Sequence, residues 1–394
     1  MMSVYYLVKI ERMMEVNIVH PSLNVHGGAE FICLEMIKIC KRNNYKVNLF
    51  TLDKIDFEHI SRSYGDYVQP DSNFYYIDEQ ISHKASIIKL LYLAYLYVKL
   101  LLLSKKNYNA VTINNYGDVL PIIADFSYIH SVPLFTLYKN KKQNPYQIRH
   151  WGIISKLYFL TFYLLKSIFR LSNIITNSQY NSQIIKSSIS KNALIINPPI
   201  KKHTGEVNCV DKKQIILTVS RISKMKNLKI IPHIASLVRG KSYFTILGGT
   251  HAYSEEVIND ISELVAKYGV SNKINIIRNP KRSMIEDAYS TASIYLSTQP
   301  TEAFGMAIIE AIIRDCVPLI PRMGGPWIDI LEEKQGWFGF GYSSALHAAL
   351  FVQLLLSNED MRQIISKRAK KKATSYDSKI FHTKMMKLLH HCDL

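Results

Sequence analysis

The chain has 394 residues, of which 48% are hydrophobic and 20% are charged. This composition excludes a disordered, collagen-like or low-complexity protein, and the length suits two domains of about 200 residues each. The 49 lysines and arginines outnumber the 31 acidic residues, so the formal net charge is +18. Such a charge favours a polyanionic partner, namely a nucleic acid, an anionic membrane surface or a phosphorylated substrate.

The first half begins with a strand, a glycine-containing loop, a helix and a second strand. Val16 to His20 is a short β-branched run, and the loop His26 to Glu30 (HGGAE) follows it. Apolar residues then recur at helical spacing from Phe31 to Ile39, and Lys46 to Thr51 is the next strand. This unit predicts the start of an open parallel sheet. Further strands are predicted at Ala110 to Ile113, Leu134 to Tyr138 and Ile174 to Thr176.

The α/β pattern restarts after the Pro198-Pro199 break. The predicted strands are Gln214 to Val219, Tyr243 to Gly248, Lys273 to Ile277, Ile294 to Leu296 and Val317 to Ile320. The predicted helices are Leu228 to Val238, Glu255 to Tyr268 and Gly305 to Arg314. The pattern predicts two α/β domains, residues 1–200 and 201–394, with ligands at the carboxyl ends of the strands and between the two halves. The last helix is a candidate for packing back on the first domain.

Two apolar segments of the first half have two interpretations. Ala85 to Ser104 is long enough to span a bilayer, but Lys89 and Lys99 would each cost roughly 2.5–3.5 kcal/mol at its centre. Leu157 to Leu171 is shorter and also contains two basic residues. Either both segments are core helices, or they lie at a membrane interface with their basic side chains among the headgroups.

The charge distribution favours the interfacial interpretation. No Asp or Glu occurs from Phe126 to Gly205. The basic residues of that tract are Lys139, Lys141, Lys142, Arg149, Lys156, Lys166, Arg170, Lys186, Lys191, Lys201 and Lys202. Aromatic residues alternate with them, which suits an anionic lipid surface. The same pattern would suit single-stranded nucleic acid, but this interpretation ranks lower because no nucleic-acid-binding motif is visible.

The cysteines indicate the compartment. They are odd in number, widely spaced and without a C-x-x-C pair, which excludes a disulfide framework and a recognisable zinc site. The five are Cys33, Cys40, Cys209, Cys316 and Cys392. We therefore expect a reducing compartment, the cytoplasm.

The stretch Thr298 to Arg314 (TQPTEAFGMAIIEAIIR) is the most informative about chemistry. A helix that begins near Gly305 would direct unpaired backbone N–H groups at an anion. Glu302 would precede this helix and Glu310 would lie about a turn inside it. The order is then a hydroxyl acceptor, a phosphate site and a second hydroxyl acceptor, which matches a nucleotide sugar. An amphipathic helix with two solvated carboxylates is the simpler interpretation of the spacing alone.

A second constellation follows the first strand of the second half. Arg221 and Lys226, in SRISKMKN, come between that strand and the next helix, at the carboxyl end of the sheet. Two cations in this place can neutralise a diphosphate, arginine through its planar fork and lysine as a point charge. The alternative is a pair of ordinary surface bases.

Taken together, these motifs resemble the retaining glycosyltransferases of family 4. The resemblance rests on EAFGMAIIE as an E-x7-E pattern, on S-R-x4-K-N after a strand, and on the GGAE loop. It implies the GT-B fold, with two Rossmann-like domains whose parallel sheets face a central cleft. Four shorter segments are similar to the mannosyltransferases that extend dolichol-pyrophosphate-linked oligosaccharides: Tyr128 to His130, Thr176 to Ser178, Asn197 to Pro199 and Gly324 to Asp329.

The resemblance implies a role for each matching position. Glu302 would contact the donor sugar near its reacting face, and His130 would lie beside the sugar from the first domain. Without the resemblance, His130 would be read as an ordinary histidine at a strand end. The donor diphosphate would be bound by Arg221, Lys226, Gly27, Gly28 and the backbone N–H groups around Phe304, Gly305 and Met306. The nucleoside and its ribose would be bound by Glu310, Gly248 and Gly249, although a plain turn at the two glycines is an open alternative.

The predicted reaction moves a hexose, such as mannose, from a nucleotide diphosphate to a lipid-linked or otherwise membrane-associated glycan, with retention at the anomeric carbon. No D-x-D pair occurs in the chain, so no metal and no other cofactor is expected. The protein would be peripheral on the cytoplasmic face of a membrane. The enzymatic alternatives are a soluble acceptor or a GT-B nucleotide-sugar epimerase. The alternative from another class is a non-catalytic basic protein that binds a membrane surface or a nucleic acid.

Overall fold

The computed structural model describes residues 14–24, 27–64, 68–78, 87–106, 109–132, 151–200, 212–251 and 253–390. Its strands are β1 (Glu15–Val19), β2 (Lys46–Phe50), β3 (Ser72–Phe74), β4 (Ala110–Asn114), β5 (Phe126–Ile129), β6 (Asn173–Thr176), β7 (Leu194–Ile195), β8 (Lys213–Val219), β9 (Tyr243–Gly248), β10 (Ile274–Arg278), β11 (Ala292–Leu296), β12 (Val317–Pro321) and β13 (Phe340–Tyr342).

The helices of the described residues are α1 (Gly28–Arg42), α2 (Phe57–Tyr64), α3 (Ile87–Ser104), α4 (Trp151–Ile168), α5 (Gln179–Ile189), α6 (Ile230–Leu237), α7 (Ser254–Tyr268), α8 (Arg282–Thr291), α9 (Met306–Ile313), α10 (Ala345–Ser357), α11 (Glu359–Ala373) and α12 (Ser378–His390). Short 3-10 turns cover Lys224–Lys226 and Thr374–Tyr376, and a π-helical turn covers Pro326–Ile330.

The first sheet has seven strands in the order β3-β2-β1-β4-β5-β6-β7. The interior strand β1 pairs in parallel with β2 and β4, and Val16 lies opposite both Val47 and Val111. All residues of β1 and β2 after the first are buried. Continuous burial of this kind is typical of parallel strands covered on both faces.

The second sheet has six strands in the order β10-β9-β8-β11-β12-β13. Neighbouring residues of β8 point to opposite faces because side chains alternate along a strand. Ile216 packs in a cluster with Ile231 of α6 and Val352 of α10. Leu217 packs in another cluster, which includes residues of α8, α9 and α11. Helices therefore cover both faces, and the polar loops are left at the ends of the strands.

The predicted elements that fall on described residues are present, and the bounds of the strands and of the helices of the second half lie within two residues of the predicted ones. Helix α1 extends three residues beyond the predicted apolar run at each end, and α4 begins six residues before and ends three residues before its predicted apolar segment. The predicted strand Leu134 to Tyr138 lies outside the described residues. Four strands were not predicted, namely β3, β5, β7 and β13, which have two to four residues each. Strands this short contain too few residues to show an alternating pattern.

The chain separates into two compact units. One comprises the described residues of Met1–Tyr116, Ile123–Ser127 and Leu388–Leu394, and the other those of Gly117–Ile122 and Tyr128–Lys387. The domain boundary that we place at residue 200, and the packing of the last helix on the first domain, stay predictions.

The two apolar segments are helices α3 and α4, and they differ in burial. In α3, Leu96 and Leu100 pack in a cluster with Val19 and Phe50. In α4, Phe162 is fully buried, but four apolar side chains at 50–71% exposure form one stripe along the helix: Leu157, Leu160, Leu164 and Ile168. None of the helices in the described part of the chain is long and apolar enough to cross a membrane.

Candidate donor site at the carboxyl edge of the six-stranded sheet

The loop after β8 is fixed to the end of the neighbouring strand β9. The amide of Ser220 donates to the carbonyl of Leu247 at 3.0 Å, and the amide of Ile222 donates to the carbonyl of Gly249 at 2.9 Å. Arg221 lies between these two anchors with its side chain exposed. The predicted diphosphate cation therefore projects from a backbone that is held on both sides, with the predicted nucleoside residues Gly248 and Gly249 next to it.

Lys226 and Glu302 form an ion pair. The Lys226 ammonium lies 2.6 Å from Glu302 Oε2, and the two side chains are about one fifth exposed. The Lys226 carbonyl accepts the Thr298 hydroxyl at 2.5 Å, which holds the loop after β8 against the loop after β11. The structure thus brings together two residues that are 76 positions apart in sequence and that we predicted on different grounds.

Helix α9 begins at the predicted position and requires glycine there. Gly305 precedes the helix with φ +90°, and an added Cβ would lie 2.6 Å from Ile308 Cδ1. Phe304 is buried, with its ring edge-to-face against Tyr376 at 5.2 Å. Any contact of Phe304 with a ligand must therefore come from its backbone, as predicted. Met306 is half-buried at the first helical position.

The loop that carries Glu302 is supported from the next strand along the sheet. After β12, the amide of Gly325 donates to the carbonyl of Glu302 at 2.8 Å. The π-helical turn that follows contains Asp329, whose carboxylate accepts the amides of Gln179 at 2.7 Å and Tyr180 at 3.3 Å at the start of α5. Burial raises the pKa of Asp329 to about 6, although these amides and Lys372 favour its ionised form.

Glu310 lies inside α9 and contacts residues that the sequence analysis did not single out. Its Oε2 accepts hydrogen bonds from Arg282 Nη1 and from the Tyr289 hydroxyl, both at 3.3 Å. Burial strongly raises the pKa of Tyr289, and the negative charge of Glu310 adds to the effect, so this hydroxyl stays a donor. The carboxylate that we predict to bind ribose is thus held by two donors from α8.

The predicted histidine of the first half lies just after β5. One carboxylate oxygen of Asp118, Oδ1, accepts the backbone amides of His130 at 2.8 Å and Ser131 at 2.7 Å. Asn177 donates to the carbonyl of His130 at 2.5 Å, and the His130 ring packs on Tyr128 at 4.6 Å. The chain direction at His130 is therefore set by the buried Asp118, which the sequence analysis missed.

The glycine-containing loop before α1 is held by a buried network. Glu30 Oε2 accepts the Gly27 amide at 2.8 Å, and Tyr64 donates to the Gly27 carbonyl at 2.8 Å. His20 lies 3.4 Å from Glu30 Oε1. Burial would raise the pKa of Glu30, but hydrogen bonding and charge interaction with His20, together with backbone amides, hold that pKa below its usual range.

This network gives Gly27 a structural reason that differs from the predicted one. An added Cβ on Gly27 would lie 2.6 Å from Glu30 Oε2, so a side chain at this position would displace the carboxylate from the Gly27 amide. The contact of Gly27 and Gly28 with donor phosphates stays a prediction.

Three residues that shape these loops escaped the sequence analysis. Asp118 and Arg282 lie outside any recognised motif, and Glu30 was quoted only as the last letter of GGAE. The available signals were weak: Asp118 lies in the loop after the strand β4, and Arg282 follows the end of β10 in a chain with many bases. The described residues contain no group of three or more His, Cys, Asp or Glu side chains that could hold a metal ion.

Comparison with known proteins agrees with this arrangement. Residues 200–372 match the family model described as glycosyl transferases group 1. The chain is 23% identical to the alpha-1,3/1,6-mannosyltransferase alg2 of Schizosaccharomyces pombe, over 81% of this chain and 69% of the relative. It is 21% identical to alpha-1,3/1,6-mannosyltransferase ALG2 of Dictyostelium discoideum, over 84% and 87%.

Solved structures show the same fold at low sequence identity. Alr3699/HepE of Anabaena, solved with UDP and glucose, superposes with a TM-score of 0.69 at 13% identity, covering 96% of this chain and all of that one. WaaG, a glycosyltransferase involved in lipopolysaccharide biosynthesis, gives 0.68 at 12% identity, covering 94% and 98%. The predicted GT-B fold and the resemblance to mannosyltransferases are confirmed. Residues 200–372 match the glycosyl transferases group 1 model, and the chain is a glycosyltransferase with the GT-B fold.

Proposed function

We propose that the chain is a retaining mannosyltransferase that moves mannose from a nucleotide diphosphate donor to a lipid-linked glycan. The observation that supports this most directly is the ion pair between Lys226 and Glu302, 2.6 Å apart, in the loops beside the start of α9. It brings the predicted cation for the donor diphosphate to the predicted carboxylate for the donor sugar.

The chemistry follows from the charges that develop. As the bond between the anomeric carbon and the diphosphate breaks, negative charge accumulates on the departing oxygen. Lys226, Arg221 and the unpaired amides at the start of α9 would stabilise that charge. The acceptor hydroxyl forms the new bond on the same face of the sugar and gives its proton to the departing phosphate oxygen. Glu302 would orient the sugar and stabilise positive charge at its anomeric carbon.

The names of the relatives support the choice of sugar and acceptor. Two relatives are named alpha-1,3/1,6-mannosyltransferases. A mouse relative, 22% identical over 65% of this chain and 58% of its own length, is named a GDP-Man:Man(3)GlcNAc(2)-PP-Dol alpha-1,2-mannosyltransferase. We therefore propose GDP-mannose as the donor and a pyrophosphate-lipid glycan as the acceptor, with no metal ion required.

The test uses the purified chain with radiolabelled GDP-mannose, UDP-glucose and UDP-N-acetylglucosamine in separate reactions. Each donor is offered a mannosylated pyrophosphate-lipid glycan or the same glycan without its lipid. We expect transfer from GDP-mannose to the lipid-linked acceptor, with an α linkage that an α-mannosidase removes. Equal transfer to the free glycan would favour a soluble acceptor, and interconversion of donors without transfer would favour an epimerase. If the chain shows neither transfer nor donor hydrolysis with any of the donors, the enzymatic proposal is overturned.

We further propose that the protein docks peripherally on the cytoplasmic face of a membrane through α4. The stripe formed by Leu157, Leu160, Leu164 and Ile168 is exposed, and Lys156 and Arg170 are exposed at its two ends. Lys166 lies over the Tyr163 ring at 5.4 Å. Bases near an anionic surface contribute about 1 kcal/mol each, so they would complement a shallow insertion of the apolar stripe.

Vesicle sedimentation tests this docking, and the chain offers a matched control. We expect binding to phosphatidylserine vesicles at low salt, weak binding to phosphatidylcholine, and loss of binding as salt rises. Replacing Leu160, Leu164 and Ile168 with serine should abolish it. Helix α10 exposes a comparable stripe, Leu346, Leu350 and Leu354, but its sequence contains no lysine or arginine. Serine at those three positions should leave binding unchanged.

The basic residues Lys139, Lys141 and Lys142 lie outside the described residues. Their replacement together by glutamate is still expected to weaken vesicle binding because the tract has no acidic residues to offset them. A wild-type protein that stays in the supernatant with phosphatidylserine vesicles at low salt would overturn the docking proposal.

A further inference from the structure

The Glu310 carboxylate is held from one side. Its two hydrogen-bond donors among the described residues, Arg282 Nη1 and the Tyr289 hydroxyl, reach the same oxygen, Oε2. Glu310 Oε1 accepts no hydrogen bond from this part of the chain. The Glu310 side chain is 12% exposed, which is enough for a ligand hydroxyl to reach it. The protein therefore uses one oxygen of this carboxylate as an anchor and leaves the other for a ligand.

Arg282 is itself fixed by a chain of alternating charges. Its Nη2 lies 2.5 Å from Glu286 Oε1, one turn further along α8. Glu286 Oε2 in turn lies 3.0 Å from Nη2 of the buried Arg314. The planar guanidinium can therefore bridge Glu286 and Glu310 at once, which a lysine ammonium on a flexible stem would do less precisely.

We propose that Arg282 is a positioning residue that fixes Glu310 for the ribose of the donor and thereby sets a preference for ribonucleoside over 2′-deoxyribonucleoside diphosphates. This proposal rests on the proposed function because it takes Glu310 as the residue that accepts the ribose hydroxyls. It goes further by assigning the aim of the carboxylate to a residue outside the E-x7-E pattern.

The physical argument concerns the entropy and the geometry of one side chain. A glutamate held only by Tyr289 could rotate, and binding a ribose would then cost the entropy of fixing its side chain. Hydrogen bonds to a charged group are strong, and we expect the wild type to bind a ribonucleotide about 10- to 100-fold more tightly than its 2′-deoxy form. Without Arg282 that ratio should fall, because the 2′-hydroxyl, which only the ribonucleotide has, would lose a correctly aimed Oε1 as its acceptor.

The experiment measures four dissociation constants by titration calorimetry, for GDP, 2′-deoxy-GDP, UDP and 2′-deoxy-UDP. The readout is the ratio of the deoxy to the ribo constant for the base that binds more tightly. We expect Arg282→Ala to lower this ratio about tenfold and Arg282→Lys to lower it about threefold. The Arg282 side chain is 39% exposed, so the variants leave no cavity in the core.

The matched control is Arg278, which ends β10 four residues earlier. Its guanidinium forms an exposed ion pair with both carboxylate oxygens of Glu255, at 2.8 and 3.1 Å. Arg278→Ala removes the same charge without touching Glu310 and should leave the ratio unchanged. If Arg282→Ala fails to fold, as judged by its thermal unfolding, the smaller fall in Arg282→Lys decides the question.

The outcomes separate this proposal from the proposed function. If Arg282→Ala weakens ribo and deoxy forms equally, the positioning role is wrong while donor binding stands. If the wild type binds nucleotide without preferring ribose, the assignment of Glu310 is wrong as well, yet transfer from GDP-mannose can still be measured independently. If the wild type binds none of the four nucleotides, both proposals are overturned.

Discussion

The carboxyl edges of the two sheets use acidic side chains in opposite ways. At the six-stranded sheet, Glu302 and Glu310 each meet a basic side chain and remain partly exposed. At the seven-stranded sheet, Glu30 and Asp118 are buried and accept backbone amides of the loops beside them. The first arrangement leaves charge available to a ligand, whereas the second holds a backbone in place for whatever the loop presents.

Exposure decides which ion pair a ligand can open. The ion pair between Lys226 and Glu302 is partly exposed, so a diphosphate arriving from solvent could replace Glu302 as the partner of the lysine. The contact between His20 and Glu30 is buried, and breaking it would leave the Glu30 carboxylate with fewer polar partners in a low-dielectric interior. Substitutions at the six-stranded edge should therefore change the chemistry and ligand binding, whereas substitutions at the seven-stranded edge should change the position of the loops.

The largest effect is expected from the two cations of the six-stranded edge. Arg221→Ala and Lys226→Ala should each raise the barrier to transfer by about 2–4 kcal/mol, because each removes a positive charge that we propose to stabilise the leaving diphosphate. Steady-state kinetics with varied donor gives kcat/KM for each variant. Wild-type values in both variants would mean that neither side chain meets the diphosphate.

The two glutamates of the same edge should separate chemistry from nucleoside binding. Glu302→Gln should lose about 2–3 kcal/mol of transition-state stabilisation while its affinity for GDP stays near wild type. Glu310→Gln should instead weaken GDP binding, because it loses the charge that strengthens a hydrogen bond to ribose. Titration of both variants with GDP measures this, and equal losses of affinity would contradict the division of roles.

The two edges also differ in how well the sequence predicts them. The polar residues of the six-stranded edge could be predicted because they fall in two short segments, SRISKMKN and EAFGMAIIE, each next to a recognisable strand or helix. Asp118 could not, because its partners are backbone amides 12 and 13 residues later, and any acceptor of the right length would satisfy them. Every residue except proline has a backbone amide, so the partner of a side chain that binds the backbone cannot be recognised by its residue type.

Substitution of Asp118 tests whether a buried acid that accepts backbone amides, like those at the seven-stranded edge, contributes to catalysis. Asp118→Ala should remove the acceptor for the His130 and Ser131 amides and lower kcat by about 10- to 30-fold, or about 1.4–2 kcal/mol. Asp118→Asn keeps an oxygen that can accept both amides and should recover most of that loss. GDP affinity should stay at the wild-type level in both variants, since the six-stranded edge is unchanged. Identical kcat in Asp118→Ala and wild type would remove His130 from the proposed site.

Asp329 sharpens the comparison because it lies near the six-stranded edge but binds backbone amides. Burial raises its pKa to about 6, so the folded state holds the proton more tightly than the unfolded chain does. Between about pH 4 and 6 the folded state binds more protons, and stability from this group must rise as the pH falls. The wild type should therefore gain on the order of 1–2 kcal/mol relative to Asp329→Asn between pH 7 and pH 5. Denaturant unfolding at both pH values measures the free energy of unfolding. An equal change in that free energy for the wild type and Asp329→Asn would contradict the raised pKa.

The smallest expected effect is that of a chelator, which should leave transfer unchanged. A metal on the diphosphate would need carboxylate ligands near the phosphates. Glu302, the acid in the loop before α9, is already paired with Lys226, and the sequence contains no D-x-D to supply a second site. In the proposed site, Lys226, Arg221 and the amides at the start of α9 would supply the positive charge without a metal. Activity measured after dialysis against EDTA, with and without added magnesium or manganese, should therefore be equal. The Lys226→Ala variant sharpens the test, since a metal that carried the charge would keep that variant active. Loss of wild-type activity in EDTA, restored by either ion, would assign the leaving-group charge to a metal instead of to these residues.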